Sequence, residues 1–183
     1  MHYILLRTIP IHHRFMARTD SFFIRATANL GDPGAGVLFQ ESAIDLGAYV
    51  DALGKSVLRI HNVQVQYGNA GENIAASAGA QSEINFQLTT QSQAGLVNLN
   101  NRSVVASGCL RVQQDAAGLL TVLNESMDAG PQDFTDGYLI AVEQMYLGVA
   151  QGANYLSTVS IVLECTVETM TQAAAMALAL SQQ

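Results

Sequence analysis

Residues Ile44–Tyr67 read IDLGAYVDALGKSVLRIHNVQVQY, and this stretch decides the fold. Its opening closes one strand (Ala43, Ile44, Leu46), Gly47 and Gly54 mark a short turn, and a long strand runs from Ser56 to Tyr67. In that strand Val63, Val65 and Tyr67 alternate with Gln64 and Gln66, the period of two of a strand with one buried face. Leu58 and Ile60 sit on the opposite parity, so the pattern slips by one residue near His61 and Asn62. A slip of one residue turns every later side chain to the other face unless the backbone absorbs it, which predicts a β-bulge or bend there.

Working outward, Ser21–Leu30 alternates with Phe22, Ile24, Ala26, Ala28 and Leu30 on one face. Gly31-Asp32-Pro33-Gly34 is a turn signal, Gly36–Leu46 reads as the next strand, and Gly68–Gln81 is a Gly/Ala/Asn loop. Ser82–Gln91 places Ile84, Phe86, Leu88 and Thr90 on one face, and Ser103–Gln114 follows after a polar loop. Gly118–Ser126 (GLLTVLNES) is ambiguous. Asp115 suits a helix cap, whereas Gly118 and the Thr121-Val122 pair favour a strand. The segment from Ser126 through Gly130-Pro131 reads as a loop, and Tyr138–Val149 as a strand pair or one long strand. Thr158–Glu168 turns Val159, Ile161, Leu163, Cys165 and Val167 inward, and Thr171–Leu180 is an Ala-rich helix with Thr171 at its N-cap. About eight strands with turns between them and one short helix predict an all-β antiparallel sandwich, jelly roll or barrel. The expected organisation is a basic N-terminal arm over residues 1–20, a β-sandwich over 21–169 and a helical tail over 170–183. Met16-Ala-Arg-Thr-Asp resembles a natural start, so Met1–Phe15 reads as an extension or a misassigned beginning.

The 183 residues suffice for one domain with a sizeable core, and 49% hydrophobic residues with a mean hydropathy of +0.21 exclude a disordered chain. Charged residues make up 13%, against about 25% in ordinary soluble domains. Such a surface suits a protein covered by neighbours, a reading preferred to that of a monomer with a neutral polar exterior. The charge is uneven. Arg7, Arg14, Arg18 and Arg25 against Asp20 give +3 over residues 1–25, leaving −10 for the remainder of the net −7. An acidic body argues against a nucleic-acid face there, while the basic arm suits an anionic surface such as a genome or lipid headgroups. No apolar run approaches the roughly 18 residues of a membrane-spanning helix, and Arg7 interrupts any secretory h-region.

Chemistry finds little foothold. His61 is the one histidine in the expected body, with His2, His12 and His13 in the arm; a cupin-like enzyme needs several histidines and a carboxylate on one metal. Asp128, Asp133 and Asp136 share the segment DAGPQDFTDG and are the candidate ligands for a hard cation, although their spacing fits no EF-hand and the glycines and Pro131 explain a plain turn. Gly54-Lys55-Ser56 echoes the end of a phosphate-binding loop, but Tyr49 stands where its first glycine belongs. Asn101-Arg102-Ser103 and Asn124-Glu125-Ser126 match the glycosylation sequon, a short pattern that arises easily by chance. Cys109 and Cys165 lie in strand-like runs; buried thiols are the default reading and a disulfide stays open. No enzyme activity, cofactor or small-molecule substrate is expected.

The succession IDLGAYVDALGKSVLRIHNVQVQY, FQLTTQ, DFTDGYLIAVEQMYLGV and STVSIVLECTVE resembles small single jelly-roll capsid proteins of tailless icosahedral viruses of archaea and bacteria, many with an internal membrane. The resemblance covers roughly Ser21–Glu168 and rests on strand order and texture. It implies an eight-stranded jelly roll that forms homo-oligomeric capsomers and tiles a virion shell with other capsid proteins, assembled in the host cytoplasm. Arg7, Arg14, Arg18 and Arg25 would then face the membrane or genome, or link neighbouring subunits. The alternatives are a glycan-binding or fibre β-sandwich module, which would prefer exposed aromatics, and, third, a cupin-like enzyme.

Overall fold

The computed structural model describes residues 20–31, 38–51, 53, 55–71, 81–153 and 158–183. The Gly31–Gly34 turn beyond Gly31, most of the Gly68–Gln81 loop and the arm with Arg7, Arg14 and Arg18 lie outside the described residues.

Nine strands are described: β1 (Phe22–Asn29), β2 (Phe39–Asp45), β3 (Ser56–Tyr67), β4 (Gln81–Thr89), β5 (Val104–Gln114), β6 (Leu120–Ala129), β7 (Tyr138–Ile140), β8 (Gln144–Ala153) and β9 (Thr158–Thr169). One helix, α1 (Gln172–Ser181), follows. The strands form two antiparallel sheets, ordered β1-β9-β3-β7 and β2-β8-β4-β5-β6. The chain crosses between sheets at β1/β2, β2/β3, β3/β4, β6/β7, β7/β8 and β8/β9, staying in one sheet only through β4-β5-β6. With β6 set aside, this is the two-sheet, double Greek-key order of a jelly roll. β6 is an added strand, folded as a hairpin onto β5 at the sheet's edge.

Each strand turns one face inward because its apolar residues recur at every second position. Leu58, Ile60, Ile84, Phe86, Leu88, Leu147, Val149, Ile161, Leu163 and Cys165 are almost wholly buried in a single core between the sheets. The slip in β3 is a bulge. Ile60 pairs with Cys165 and Asn62 with Glu164, leaving His61 as the extra residue, so Ile60 and Val63 both reach the core.

Two expectations change in detail. Tyr138–Val149 divides into β7 and β8, which belong to different sheets; Ala141–Glu143 carries the chain across, so one long strand is excluded. The ambiguous Gly118–Ser126 segment is strand, and it extends to Ala129, so Ser126–Ala129 is not loop. Ladder bonds to Ser107–Cys109 hold those residues extended up to the 3-10 turn at Pro131–Asp133.

Gly137 shows how closely the elements approach before β7. Its φ is +68°, and a Cβ there would lie 2.3 Å from the Ile60 carbonyl oxygen, so only glycine fits. At the other end, Thr171 caps α1 by accepting a hydrogen bond from the Ala174 N–H at 3.3 Å. The helix packs Ala175, Leu178 and Ala179 against Val57, Leu139 and Ala141, residues that point away from the main core.

Candidate interaction surfaces

An exposed apolar surface lies along the first half of β6 and the residue before it. Leu119, Leu120, Val122 and Leu123 are 68%, 45%, 55% and 48% exposed. Val122 pairs with Val112 and Leu120 with Gln114, so both project from the core-facing side of the sheet. They stay uncovered because five strands face four: β1 lies against β2 and β8, and the opposite order leaves the fifth strand without a counterpart. The register shifts between Arg111 and Val112, which makes Leu123 a bulged residue and turns it outward. Among the described residues β6 pairs only with β5, so its other edge presents main-chain donors and acceptors. Met127, further along, returns to the core.

The charge around this edge is negative. Asp115 precedes it, Glu125 and Asp128 lie along it, and no Lys or Arg occurs after Arg111. Arg111 itself is engaged by Glu83, Nε to Oε2 at 3.0 Å. Asn85 donates to Glu83, and with Arg111 this holds the Glu83 carboxyl below its usual range.

A second surface is the outer face of the five-stranded sheet, which the segment after β4 folds back to cover. The buried Gln87 side chain donates to the Val97 carbonyl (2.7 Å) and accepts from the Val97 N–H (2.9 Å). Glu41 accepts from the Ser92 hydroxyl and from the Gln93 N–H. Four bonds thus fix a polar loop that its composition alone leaves unplaced.

A third feature is a cleft of about 670 Å3 between α1 and β7, lined by Arg59, Arg102, Phe134, Tyr138, Leu178 and Gln182 among others. Both arginines in it have partners. Arg59 bonds Glu168 through Nε and, at 2.8 Å, through Nη2, and it also donates to the Asp136 carbonyl. Arg102 donates to the Gln183 carbonyl. The bond from Arg59 keeps the Glu168 carboxyl below its ordinary pKa. Gln182 locks the helix end: its side chain accepts from the Ala141 N–H (2.9 Å) and donates to the Leu139 carbonyl (2.6 Å), while its carbonyl accepts from Thr90 Oγ1 (2.8 Å).

The candidate cation ligands are dispersed. Asp128 lies on β6 and accepts from Ser126 Oγ (3.1 Å), Asp133 accepts from the Gly130 N–H of its own turn (2.9 Å), and Asp136 follows that turn. Among the described residues no three His, Cys, Asp or Glu side chains converge. His61 Nε2 lies 2.9 Å from Thr166 Oγ1, a use within the bulge itself. Arg25, the one arm arginine described, stands on the outer side of β1 with its guanidinium 5.8 Å from the Phe23 ring centre. Cys109 and Cys165 are free and buried; Cys109 meets Ser126 Oγ at 3.2 Å, and burial pushes the Cys165 thiol up to about 12. In the sequons, Asn101 Oδ1 is taken by the Ser103 N–H and hydroxyl, and Asn124 is exposed on β6. No described helix is long and apolar enough to cross a membrane.

Sequence reasoning missed the β6 edge, although a signal was present. Leu119-Leu120 and Val122-Leu123 are adjacent apolar pairs, which a strand can only place on both of its faces.

The described residues form a jelly-roll sandwich in which β6 leaves an apolar sheet edge unpaired. No protein-family model and no curated protein matches the chain.

Proposed function

We propose that this chain is a structural subunit that assembles with copies of itself, and specifically a single jelly-roll capsid protein of a tailless icosahedral virus. The observation that carries the reading is the jelly-roll strand order with an added edge strand whose first half is apolar and whose outer side is unpaired among the described residues. Isolated proteins protect sheet edges with charge, proline, bulges or cover; the first half of β6 carries leucine and valine, with Glu125 and Asp128 only beyond the bulge, and is suited to a partner. The low charge content and the Gln/Asn/Thr-rich strand faces agree with subunit contacts, whose centres are depleted of charge. The virion is the corresponding location, and the basic arm, Arg25 included, would meet the membrane, the genome or a neighbouring subunit. The function would be assembly, with no chemical step.

Size-exclusion chromatography with light scattering on the purified chain, followed by negative-stain microscopy of any large species, tests the reading. Rings, capsomers or shells at micromolar concentration are expected. A strict monomer at every salt concentration and pH overturns it, and glycan-binding assays would then test the binding-module alternative.

A further inference from the structure

We propose that the β6 edge receives the N-terminal arm of a neighbouring copy, with the apolar run Tyr3-Ile4-Leu5-Leu6 laid along Leu120–Val122. This rests on the assembly reading and names the partner of its contact edge.

Three observations select this occupant. The first is chemical fit. β6 offers main-chain donors and acceptors along Leu120–Val122, and an extended apolar segment satisfies both by adding a strand. The bulge at Leu123 confines regular pairing to the three residues Leu120–Val122, which the four-residue Tyr3–Leu6 run is long enough to cover.

The second is charge. Asp115, Glu125 and Asp128 flank the edge, and residues 112–183 hold eight carboxylates without one Lys or Arg. Residues 1–19 hold Arg7, Arg14 and Arg18 without one carboxylate. The arm is thus the basic, apolar segment that an acidic, apolar edge selects.

The third is direction. β1 and β2 lie at one side of the sandwich and β6 at the other. Phe22 stacks on Tyr49 just past the end of β2, and β6 runs parallel to β2, so Phe22 stands at the end of the sandwich opposite Leu120. An arm laid on its own β6 would first have to run the length of its own body. A neighbour's β6 need not lie at that far end, and nineteen residues reach about 60 Å when extended.

Disulfide trapping tests the pairing in the full-length chain. One preparation carries Leu5→Cys or Leu6→Cys, which sample the two faces of the arm, and a second carries Val122→Cys. The native thiols are buried and contribute little background. Mixing the two under mild oxidation is expected to give a covalent dimer several-fold above a mixture with Leu53→Cys, a control exposed on the β2–β3 turn, and the yield should fall as salt is raised. Cross-linking confined to a single chain bearing both substitutions, or a yield equal to the control, overturns the proposal. Large oligomers that persist with a control-level yield preserve the assembly reading while eliminating the arm as its link; a strict monomer eliminates both.

Discussion

Gly137 and Cys165 make their demands by different physics. At Gly137 the backbone is left-handed and the Ile60 carbonyl fills the space of any Cβ, so Gly137→Ala must displace β7 or β3. The expected loss is about 3 kcal/mol or more, read from the midpoint of urea unfolding. Cys165 acts through ionisation. Its thiol titrates near 9 when unfolded and at about 12 in the fold, and Tyr67 and Tyr138 are also raised because burial disfavours their charged forms. Between these limits the unfolded chain has released protons that the native chain retains, so stability is full below pH 9 and falls as pH rises toward 12. Cys165→Ala should lower stability at neutral pH and flatten part of this alkaline decline in unfolding curves taken from pH 8 to 11. On the acid side Glu168 and Glu83 titrate below their usual range, so their contribution is complete above that range and disappears as pH falls through the lowered values.

Among the elements, α1 depends on its ends. Thr171→Ala removes the N-cap and should cost about 1 kcal/mol. Gln182→Ala leaves the Ala141 N–H and Leu139 carbonyl without their partners, with an expected cost of about 3 kcal/mol. Hydrogen exchange at Ala141 should rise in the second variant and remain unchanged in the first. The helix and its cap were legible in the sequence because both signals are local. β1, β3 and β9 were legible for the same kind of reason: each alternates cleanly, with Val159, Ile161, Leu163 and Cys165 the clearest case. β6 was only half legible. Its exposure arises from a mismatch between five strands and four, and no local pattern encodes how many strands lie opposite. The division between β7 and β8 was hidden likewise, since the chain changes sheet without a glycine or proline at Ala141–Glu143. The anchoring of Gln182 rests on contacts made forty residues away in sequence, which no reading of the tail alone contains.

At the scale of the whole molecule, the proposed assembly contacts and the core that stabilises the fold lie in separate residues and should respond separately. Leu120→Lys with Val122→Lys changes side chains that are already about half exposed, so folding stability should shift by less than about 1 kcal/mol while the oligomer distribution collapses toward monomer in light scattering. A large loss of stability would instead mean that this edge belongs to the core. The proposed arm contact would join different surfaces on the two partners and so be heterologous, and such contacts close into rings or run on as filaments according to the rotation between copies. The bulge in β3 carries a consequence of another kind, for the tolerance of the chain to changes in length. Losing one residue from a central strand ordinarily inverts everything after it. Here loss of His61 would join Ile60 to Asn62 and Val63 in regular alternation, with Leu58, Ile60, Val63, Val65 and Tyr67 all still facing the core. Loss of Gln64, three residues later, would turn Val65 and Tyr67 out to solvent. The long strand at the centre of this sandwich thus has one site where a codon can vanish from its gene and the hydrophobic frame still reads true.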